Sequence, residues 1–293
     1  MRYEGTVYRP PSEGHSLILQ ATIGCSYNRC GYCAMYIDKR FRQRSREDLL
    51  EDMALAQSFH GAENVRRVFL ADGDALIMRT SRLLEILEDC KAHFPNFQRA
   101  STYASPQALL KKSVAELAEL KEAGLPLHYL GPETGHPVVM ERIAKGVTPE
   151  QVVDGARRVI DAGAKLSTIF LLGVGGTDLS QEHARASGEL VTAMDPHYVS
   201  ALTLVPVPGT PIHDAVERGE MVLPGPREAL AELRTMVAHM EPTRAIFRSN
   251  HASNSLPLAG NLPKDKQRIL DVLDSVIADE SIPLRAPPSP HRL

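Results

Sequence analysis

Short apolar runs alternate with longer amphipathic stretches over most of this chain. Each apolar run ends in a polar or glycine-rich turn, which is the pattern of a buried strand. These runs predict strands at Leu17–Ile23, Arg67–Leu70, Arg99–Tyr103, Leu127–Gly131, Lys165–Leu172 and Tyr198–Val205. Apolar residues at helical spacing predict helices near Ser45–His60, Ser81–Phe94, Ser113–Ala123, Thr148–Ala162, Leu179–Met194 and Lys264–Ala278.

The alternation of strand and helix predicts a parallel sheet, because parallel neighbours need crossover helices between them. The fold class is therefore α/β, with a sheet that either curls into a barrel or stays open. Both arrangements place functional groups at the carboxyl ends of the strands. One helix has clear boundary signals, since Thr148 and Gln151 form a capping-box pattern, Pro149 suits the first turn and Gly163 suits the end.

Three of the four cysteines, Cys25, Cys30 and Cys33, lie within nine residues in the spacing C-x4-C-x2-C. An odd number of thiols cannot pair off into disulfides, and three soft sulfur ligands on one loop suit an iron–sulfur cluster or a thiolate metal site. A zinc site is the alternative, but structural zinc normally takes four ligands, and no second Cys or His pair follows. The fourth cysteine, Cys90, falls on the apolar face of a helix and is predicted to be a buried structural thiol.

Composition excludes some classes of protein. The 293 residues include 43% hydrophobic and 24% charged residues, which is ordinary for a globular chain. The net charge of −3 gives no global basic field for non-specific nucleic-acid binding, although a specific RNA or peptide partner stays open. No apolar run reaches the roughly 18 residues of a membrane span, and the first residues lack the apolar region of a secretory signal. With ligand-type cysteines, this predicts a cytoplasmic location without a membrane partner.

The cysteine loop, with Tyr32 before its last cysteine, resembles that of the radical S-adenosylmethionine (radical SAM) superfamily, and the resemblance implies that Tyr32 contacts the cofactor. The usual loop there is C-x3-C-x-aromatic-C after the first strand, so this chain carries one extra residue, Asn28 or Arg29. The resemblance spans roughly 17–205. It implies an α/β fold, a partial (β/α)6 TIM-like barrel over residues 1–245, with a C-terminal capping segment and tail over residues 246–293.

The resemblance continues at the ends of the later strands and implies a set of SAM contacts. Asp72, Gly73 and Asp74 match the turn that holds the methionyl amine, and Ser101 and Tyr103 match polar groups that face SAM. Gly131-Pro-Glu133 resembles the Gly-x-Glu/Gln motif of the Elongator-like and coproporphyrinogen-oxidase-like branch. There the acid holds the ribose, and a basic residue one helix later, here Lys145, pairs with the SAM carboxylate. Glycine and rim motifs near adenine match Gly173 and Val205.

The resemblance implies a function. Three cysteines would bind a [4Fe–4S] cluster whose fourth iron chelates SAM. Reductive cleavage of SAM would give a 5′-deoxyadenosyl radical that takes hydrogen from a polar small-molecule substrate. Such an oxygen-sensitive enzyme needs a reductant such as flavodoxin or ferredoxin. Two alternatives stay open: a tRNA- or protein-modifying radical SAM enzyme, and an iron–sulfur electron-transfer or redox-sensing protein that does not use SAM.

Two polar segments have less certain meanings. Asn250, His251 and Asn254 lie in a run of amides and hydroxyls after the barrel, which predicts a substrate-contacting lid with His251 as an acid or base. A polar turn that satisfies loop carbonyls is the alternative. The run 38–46 has five basic residues and reads equally as a solvated face or as a surface for an anionic substrate, a redox partner or RNA.

Overall fold

The computed structural model describes residues 1–286. The strands in this part of the chain are β1 (Leu17–Gln20), β2 (Thr22–Ile23), β3 (Arg42–Gln43), β4 (Arg67–Ala71), β5 (Arg99–Tyr103), β6 (Leu127–Glu133), β7 (Lys165–Leu172), β8 (Tyr198–Thr203), β9 (Ala245–Ser249) and β10 (Leu258–Leu262). The helices are α1 (Arg46–His60), α2 (Thr80–His93), α3 (Pro106–Leu110), α4 (Val114–Ala123), α5 (Pro137–Arg142), α6 (Pro149–Asp161), α7 (Ser180–Met194), α8 (Pro211–Glu217), α9 (Pro226–Ala238) and α10 (Lys266–Ala278). Strand and helix alternate from β4 to β8, as an α/β fold requires.

Local side-chain contacts fix several helix ends. Ser45 accepts a hydrogen bond from the N–H of Asp48 at 3.1 Å and caps α1. The predicted capping box of α6 is present, because Gln151 N–H donates to the Thr148 hydroxyl and Thr148 N–H donates to the Gln151 side chain. Gly163 has φ = +68°, the left-handed conformation that glycine adopts easily after a helix. The sequence signals and the observed ends agree.

The chain divides into two compact units. The first unit contains Met1–Asn28, Met35–Leu130 and Arg158–Leu166. Its strands β1, β4, β5 and the start of β6 pair in that order and are parallel. The register places Phe69 beside Ser101 and Tyr103 beside Tyr129, so these side chains share one face of the strands. Separately, β2 and β3 form a small antiparallel pair.

The second unit contains Arg29–Ala34, Gly131–Arg157 and the chain from Ser167 onward. Its strands β7, β8, β9 and β10 pair in that order, parallel except for the last pair, which is antiparallel. Helix α9 packs against α7 and α10. The region after residue 245 therefore contributes two paired strands and a helix within this unit, and the predicted domain boundary at 245/246 stays a prediction.

Most predicted elements agree with the structure to within two residues, and the differences are local. The first predicted strand is divided into β1 and β2, and the sequence pattern does not predict β3, β9, β10, α3, α5, α8 or α9. Cys90 is fully buried, as predicted, and burial raises the pKa of its thiol to about 12. No helix within residues 1–286 has the length and apolar character needed to cross a membrane. The last residues of the predicted tail, 287–293, lie outside the described residues.

Candidate functional site

Cys25 lies in the first unit, one residue after Gly24 and two after the end of β2. Gly24 has φ = +72°, which turns the chain sharply into the cysteine loop. Its carbonyl accepts a hydrogen bond from the N–H of Gly73 at 3.2 Å. A Cβ built on Gly73 would lie 2.9 Å from the Cβ of Cys25, so only glycine permits this close packing. Gly73 thus sets how closely the cysteine loop approaches the end of β4.

Asp72 is fully buried and binds the residues around the loop. Its Oδ2 accepts from Lys39 Nζ at 2.9 Å, Gln20 Nε2 at 3.0 Å and the N–H of Gly24 at 3.2 Å. Lys39 is also buried, so the two opposite charges compensate each other away from water. Among the described residues, Asp72 Oδ1 is buried without a hydrogen-bond partner. Asp72 therefore has one carboxylate oxygen available for its predicted contact with SAM.

Asp74 is equally buried, and its partners are different. Its carboxylate accepts from the Ser26 hydroxyl and from both the N–H and the hydroxyl of Ser105, at 3.0 and 2.8 Å for Ser105. Burial raises the pKa of Asp74, against the effect of these hydrogen bonds. Ser105 also caps α3, so Asp74 connects the cysteine loop to the start of that helix. Its SAM contact stays a prediction.

The basic run after the loop is mostly paired with acids of the first unit. Four of its five cations have carboxylate partners, in the pairs Lys39–Asp72, Arg42–Glu4, Arg44–Asp52 and Arg46–Asp89. Ion pairs of this kind leave little unbalanced positive charge to attract an anion. Neither predicted interpretation describes the whole run, because Lys39 and Arg44 are buried in ion pairs and are not part of a solvated face or a free cationic surface.

The extra residue of the cysteine loop has a local explanation in Asn28. It adopts φ = +45°, a left-handed conformation that asparagine tolerates better than most residues. Its side-chain amide donates to the carbonyl of Tyr36 at 2.8 Å. The longer first interval is therefore taken up by one turn residue that is bound to the far side of the loop.

Ser101 and Tyr103 lie on the same face of β5 at its carboxyl end. Tyr103 packs edge-to-face on Phe69, with ring centroids 5.0 Å apart. The Ser101 hydroxyl is buried and has no hydrogen-bond partner among the described residues. The structure thus pairs a polar group with an aromatic wall on this face, and their SAM contacts stay predictions.

Tyr32, Glu133 and Lys145 converge in the second unit. The Tyr32 hydroxyl donates to Glu133 Oε1 at 2.8 Å, and Lys145 Nζ donates to Glu133 Oε1 at 3.2 Å and to the Tyr32 oxygen at 3.0 Å. The ammonium also lies 5.4 Å from the centroid of the Tyr32 ring. Glu133 and Lys145 are buried, with 7% and 6% of their surface exposed. We call these three residues the Tyr–Glu–Lys triad.

The triad perturbs the groups around it. Burial alone would lower the pKa of Lys145, but Glu133 and the thiols of Cys30 and Cys33 outweigh burial and raise it. Burial, followed by the charge of Glu133, holds the pKa of Tyr32 well above its usual range. Burial also raises the pKa of Cys30, against the attraction of the Lys145 ammonium. Two thiols and a fixed cation therefore occupy one electrostatic environment.

Backbone contacts position the two cysteines of this unit. Gly31, between Cys30 and Tyr32, donates its N–H to the carbonyl of Ile143 at 2.8 Å and accepts from the N–H of Ile212 at 3.0 Å. Glu133 has φ = +69°, an unusual conformation for a residue with a side chain and one that concentrates at functional sites. A Cβ on Gly131 would lie 2.1 Å from Glu133 Oε1, so a side chain there would displace the Glu133 carboxylate from the triad.

Gly173 follows β7 with φ = +81°, and its N–H donates to Glu232 Oε1 at 2.6 Å. Glu232 is fully buried and also accepts from the Ser180 hydroxyl. The imidazole of His183 lies 3.4 Å from Glu232 and 2.8 Å from the Thr134 hydroxyl, next to the triad residue Glu133. A buried polar network therefore holds the Gly173 turn. Val205 is half-buried two residues past β8.

The segment after β9 is held by Asn254. This buried amide donates to the Ala201 carbonyl at 2.7 Å and to the Ser249 hydroxyl at 2.8 Å, and its oxygen accepts from the N–H of Thr203 at 2.7 Å. Both donor hydrogens are used within the protein, which gives Asn254 a positioning role. Its predicted substrate contact would have to act through other residues.

Asn250 and His251 are more accessible than Asn254, since Asn250 is exposed and His251 is half-buried. The N–H of Ser253 donates to His251 Nδ1 at 3.2 Å. Nδ1 is therefore an acceptor, and the neutral ring carries its hydrogen on Nε2. Burial lowers the pKa of His251, which favours this neutral form. The predicted catalytic roles of both residues stay predictions.

Comparison with known proteins gives these motifs a family. A sequence profile described as Radical SAM superfamily matches residues 19–186, more than half of the chain. The chain belongs to this superfamily. The match contains the cysteine loop, the Asp-Gly-Asp turn and most of the triad's surroundings. It confirms the predicted family and enzyme class and, with them, the [4Fe–4S] cluster and SAM that radical SAM enzymes use.

Sequence and structural relatives agree with this membership. Over 195 residues the chain is 25% identical to a Pyrococcus horikoshii protein described as an uncharacterized methyltransferase, an overlap of 66% of this chain and 40% of that one. Coproporphyrinogen III oxidase from Escherichia coli, described as a radical SAM enzyme, is similar in structure with a TM-score of 0.57 and 15% identity, over 76% of this chain and 51% of the oxidase. Methylornithine synthase is similar in structure with a TM-score of 0.54 and 19% identity, over 78% of this chain and 63% of the synthase. The archaeal Elp3 of Methanocaldococcus infernus is similar with a TM-score of 0.53 and 12% identity, over 92% of this chain and 65% of Elp3.

These structures show a shared fold and confirm the predicted α/β class of the partial-barrel type. The chain spans less than two thirds of each of these relatives, so their activities remain their own. The radical SAM branch predicted from the Gly-x-Glu motif is represented by the oxidase and by Elp3.

The donor set fits the cluster of a radical SAM enzyme. Cys25, Cys30 and Cys33 are all half-buried, neither sealed in the core nor fully exposed. Thiolates are the usual ligands of a [4Fe–4S] cluster, and nine residues of chain let three of them reach one cluster. Within residues 1–286 no three His, Cys, Asp or Glu side chains are gathered closely enough to hold a metal ion. The fit therefore rests on ligand type and spacing.

Proposed function

We propose that the chain binds a [4Fe–4S] cluster through Cys25, Cys30 and Cys33 and cleaves SAM reductively. It would then remove hydrogen from a polar small-molecule substrate. The Tyr–Glu–Lys triad is the observation that carries this proposal. Three residues predicted separately as cofactor contacts lie within hydrogen-bond distance of one another, in the electrostatic environment of two cysteines.

The triad suits the recognition of SAM. Its methionyl carboxylate needs a cation, which Lys145 supplies, and its ribose hydroxyls need an acceptor, which Glu133 supplies. A buried ammonium binds an anion more strongly than an exposed one, because water screens it less. Tyr32 holds both charges in place through its hydroxyl. Lys145 and Glu133 form an ion pair with each other, so neither charge is left buried without a partner when no ligand is bound.

Two predicted SAM contacts in the first unit have hydrogen-bonding capacity that no described residue uses. Asp72 Oδ1 can accept from the methionyl amine, and Ser101 can hydrogen-bond a polar edge next to the Tyr103 ring. When bound, the cluster supplies one electron to the sulfonium of SAM, which gives methionine and a 5′-deoxyadenosyl radical. The protein's own task is to exclude water and to hold the substrate's carbon–hydrogen bond near the radical carbon. A reducing compartment and an electron donor of the flavodoxin or ferredoxin type belong to this proposal.

The test is anaerobic reconstitution with iron and sulfide, followed by reduction with dithionite in the presence of SAM. We expect 5′-deoxyadenosine and methionine in equal amounts, and neither product without reductant. A protein that shows the absorption and EPR spectra of a reduced cubane but forms no 5′-deoxyadenosine would contradict the proposal. It would then favour an electron-transfer or redox-sensing role.

Methyl transfer is a second candidate. The Pyrococcus horikoshii relative described as a methyltransferase supports it. The same reaction mixture separates the two, because methyl transfer converts SAM to S-adenosylhomocysteine rather than to 5′-deoxyadenosine alone. Addition of tRNA or of a cell-extract peptide fraction tests the remaining alternative, in which the hydrogen donor is a macromolecule.

A further inference from the structure

The Asp-Gly-Asp turn at residues 72–74 contacts the cysteine loop one residue at a time. Gly24 donates its N–H to the first carboxylate of the turn at 3.2 Å. Cys25 has its Cβ 2.9 Å from where a side chain on the central glycine would begin. Ser26 donates its hydroxyl to the second carboxylate. The turn therefore binds Gly24 and Ser26, the residues on either side of Cys25, and its central glycine packs closely against Cys25.

We propose that this turn is a clamp that fixes the cysteine loop at Cys25 through contacts within the protein, independently of a bound cluster. The identity of Cys25 as a ligand rests on the proposed function. The positioning role does not, since every contact that defines it lies within the protein. It adds a role to residues whose predicted contact is with SAM.

The first half of the clamp is held by a buried charge. Lys39 lies 2.9 Å from Asp72 and also donates to the carbonyl of Thr6, so it joins three segments of the first unit. The Cβ and the carbonyl of Lys39 lie 3.2 Å from where a Cβ on Gly24 would be, which leaves that residue little freedom. Gly24 is also held through its carbonyl by the N–H of Gly73. Both backbone groups of the residue before Cys25 are thus fixed.

The second half of the clamp is held by hydrogen bonds to another segment of the first unit. Asp74 is held by Ser105 at the start of α3, through one backbone and one hydroxyl hydrogen bond. Removing the Ser26 hydroxyl deletes one clamp contact without introducing a buried charge. Ser26→Ala is therefore the mildest variant, and Ser26→Thr keeps the hydroxyl as a rescue variant.

A matched control exists in the same unit. Arg44 and Asp52 form another buried ion pair, with 3% and 0% of their side chains exposed. Neither residue contacts Cys25 or residues 72–74 in any contact described above. Arg44→Met therefore reports the effect of losing a buried charge partner on stability, without loss of a clamp contact.

The first experiment measures thiol reactivity in the full-length protein prepared without iron. The protein is exposed to iodoacetamide under native conditions for a series of times and then digested with trypsin. Cleavage after Arg29 places Cys25 on one peptide and Cys30 with Cys33 on the next, so the same sample reports both. We expect Ser26→Ala and Asp74→Ala to raise the alkylation rate of Cys25 about fivefold, the factor that corresponds to one net hydrogen bond.

The rates at Cys30 and Cys33 should not change, and Ser26→Thr should restore the wild-type rate at Cys25. Three results would overturn the clamp. The first is alkylation of Cys25 at the wild-type rate in both Ser26→Ala and Asp74→Ala. The second is an equal rise in the alkylation rates of all three thiols, and the third is an equal rise for Cys25 in Arg44→Met. Because Cys30 and Cys33 are an internal reference, a control variant that fails to fold does not remove the comparison.

The second experiment uses the reconstituted protein and follows iron release to a chelator. Ser26→Ala and Asp74→Ala should release iron about fivefold faster than wild type, while Arg44→Met should not. If the wild type binds a cluster but forms no 5′-deoxyadenosine, the proposed function fails and the clamp is still judged by iron release. If the wild type binds no cluster, the ligand role of Cys25 fails and the alkylation rates still decide the clamp.

Discussion

Cys25 and the pair Cys30 and Cys33 are held in different ways. Around Cys25, carboxylates bind backbone N–H groups and hydroxyls of the protein's own loop. Around the other two, a lysine, a glutamate and a tyrosine bind one another through their side chains. The first arrangement fixes a loop. The second holds a positive and a negative side chain in contact, and a zwitterionic ligand could replace each of these partners with one of its own charged groups. In the proposed function, the first region shapes the cysteine loop and the second region recognises SAM.

Removal of a cysteine thiol should have the largest effect, a loss of bound iron, and this loss should be the same for cysteines of both regions. Cys25→Ala, Cys30→Ala and Cys33→Ala should each reduce the iron bound after reconstitution from about four atoms per chain to almost none, because a cubane needs all three ligands. Cys90→Ala is the matched control, since that thiol is fully buried and should leave the iron content unchanged. Retention of iron by all three variants would refute the ligand assignment.

Loss of the triad cation should affect only the second region's task. Lys145→Met should weaken SAM binding about 10- to 100-fold, since a hydrogen bond to a charged group contributes about 1.5–3 kcal/mol. Iron content should stay at the wild-type level, measured in the same samples as SAM affinity by equilibrium dialysis. Lys266→Met removes a lysine of the same unit that pairs with an exposed glutamate, and serves as the control. Equal loss of iron and SAM would mean that the two regions do not divide their roles.

Asn254 offers a test of positioning without charge. Asn254→Ala removes hydrogen bonds to Ala201, Ser249 and Thr203 and leaves buried polar groups unpaired, which should cost about 1–3 kcal/mol of unfolding free energy. His251→Gln should cost much less, because the imidazole is only half-buried. Urea unfolding of the two variants measures the difference. A larger loss for His251→Gln would reverse the roles assigned here.

The smallest expected effect on stability at neutral pH concerns His128 in the first unit, whose contribution changes only as the pH falls. Burial lowers the pKa of this fully buried imidazole to about 4, and neither ring nitrogen has a partner among the described residues. The folded protein thus disfavours protonation, so stability is complete above the unfolded pKa of about 6.5 and is lost as the pH falls toward 4. At pH 5 the loss should be about 2 kcal/mol.

The measurement is urea unfolding from pH 7.5 to pH 4.5, with His128→Leu compared with the wild type. The variant should show a flatter loss of stability over this range, whereas substitution of the exposed His15 by Gln should follow the wild type. Parallel curves for the wild type and His128→Leu would show that the buried imidazole does not control acid stability.

The sequence predicts elements better than it predicts partners. The strands β5 and β7 begin and end at the predicted residues, because apolar runs with clear turn signals mark them. Helix α9, which carries Glu232, was missed, although Pro226 at its first position and Glu228 in its first turn are helix-start signals. Its interior mixes polar and apolar residues, and the buried glutamate lies where the pattern indicates a polar position.

Site residues follow the same division. Tyr32 and Glu133 were predicted from separate motifs, but 101 residues separate them and only the fold shows that they share a hydrogen bond. Lys39 stands in a run of cations that reads as a surface, and nothing in the charge pattern distinguishes the one that is buried against Asp72. Local signals thus identify chemical groups, whereas tertiary contacts decide which other groups of the protein they bind.

The clamp joins two stretches of chain that lie 48 residues apart. A hydroxyl at position 26 is useful only with an acceptor at position 74, and close packing on Cys25 is possible only with glycine at position 73. Substitution in either stretch alone therefore carries a penalty that a matching change in the other can remove. Among homologous sequences, positions 26 and 74 should covary, and the spacing of the cysteine loop should be inherited together with the turn that holds it.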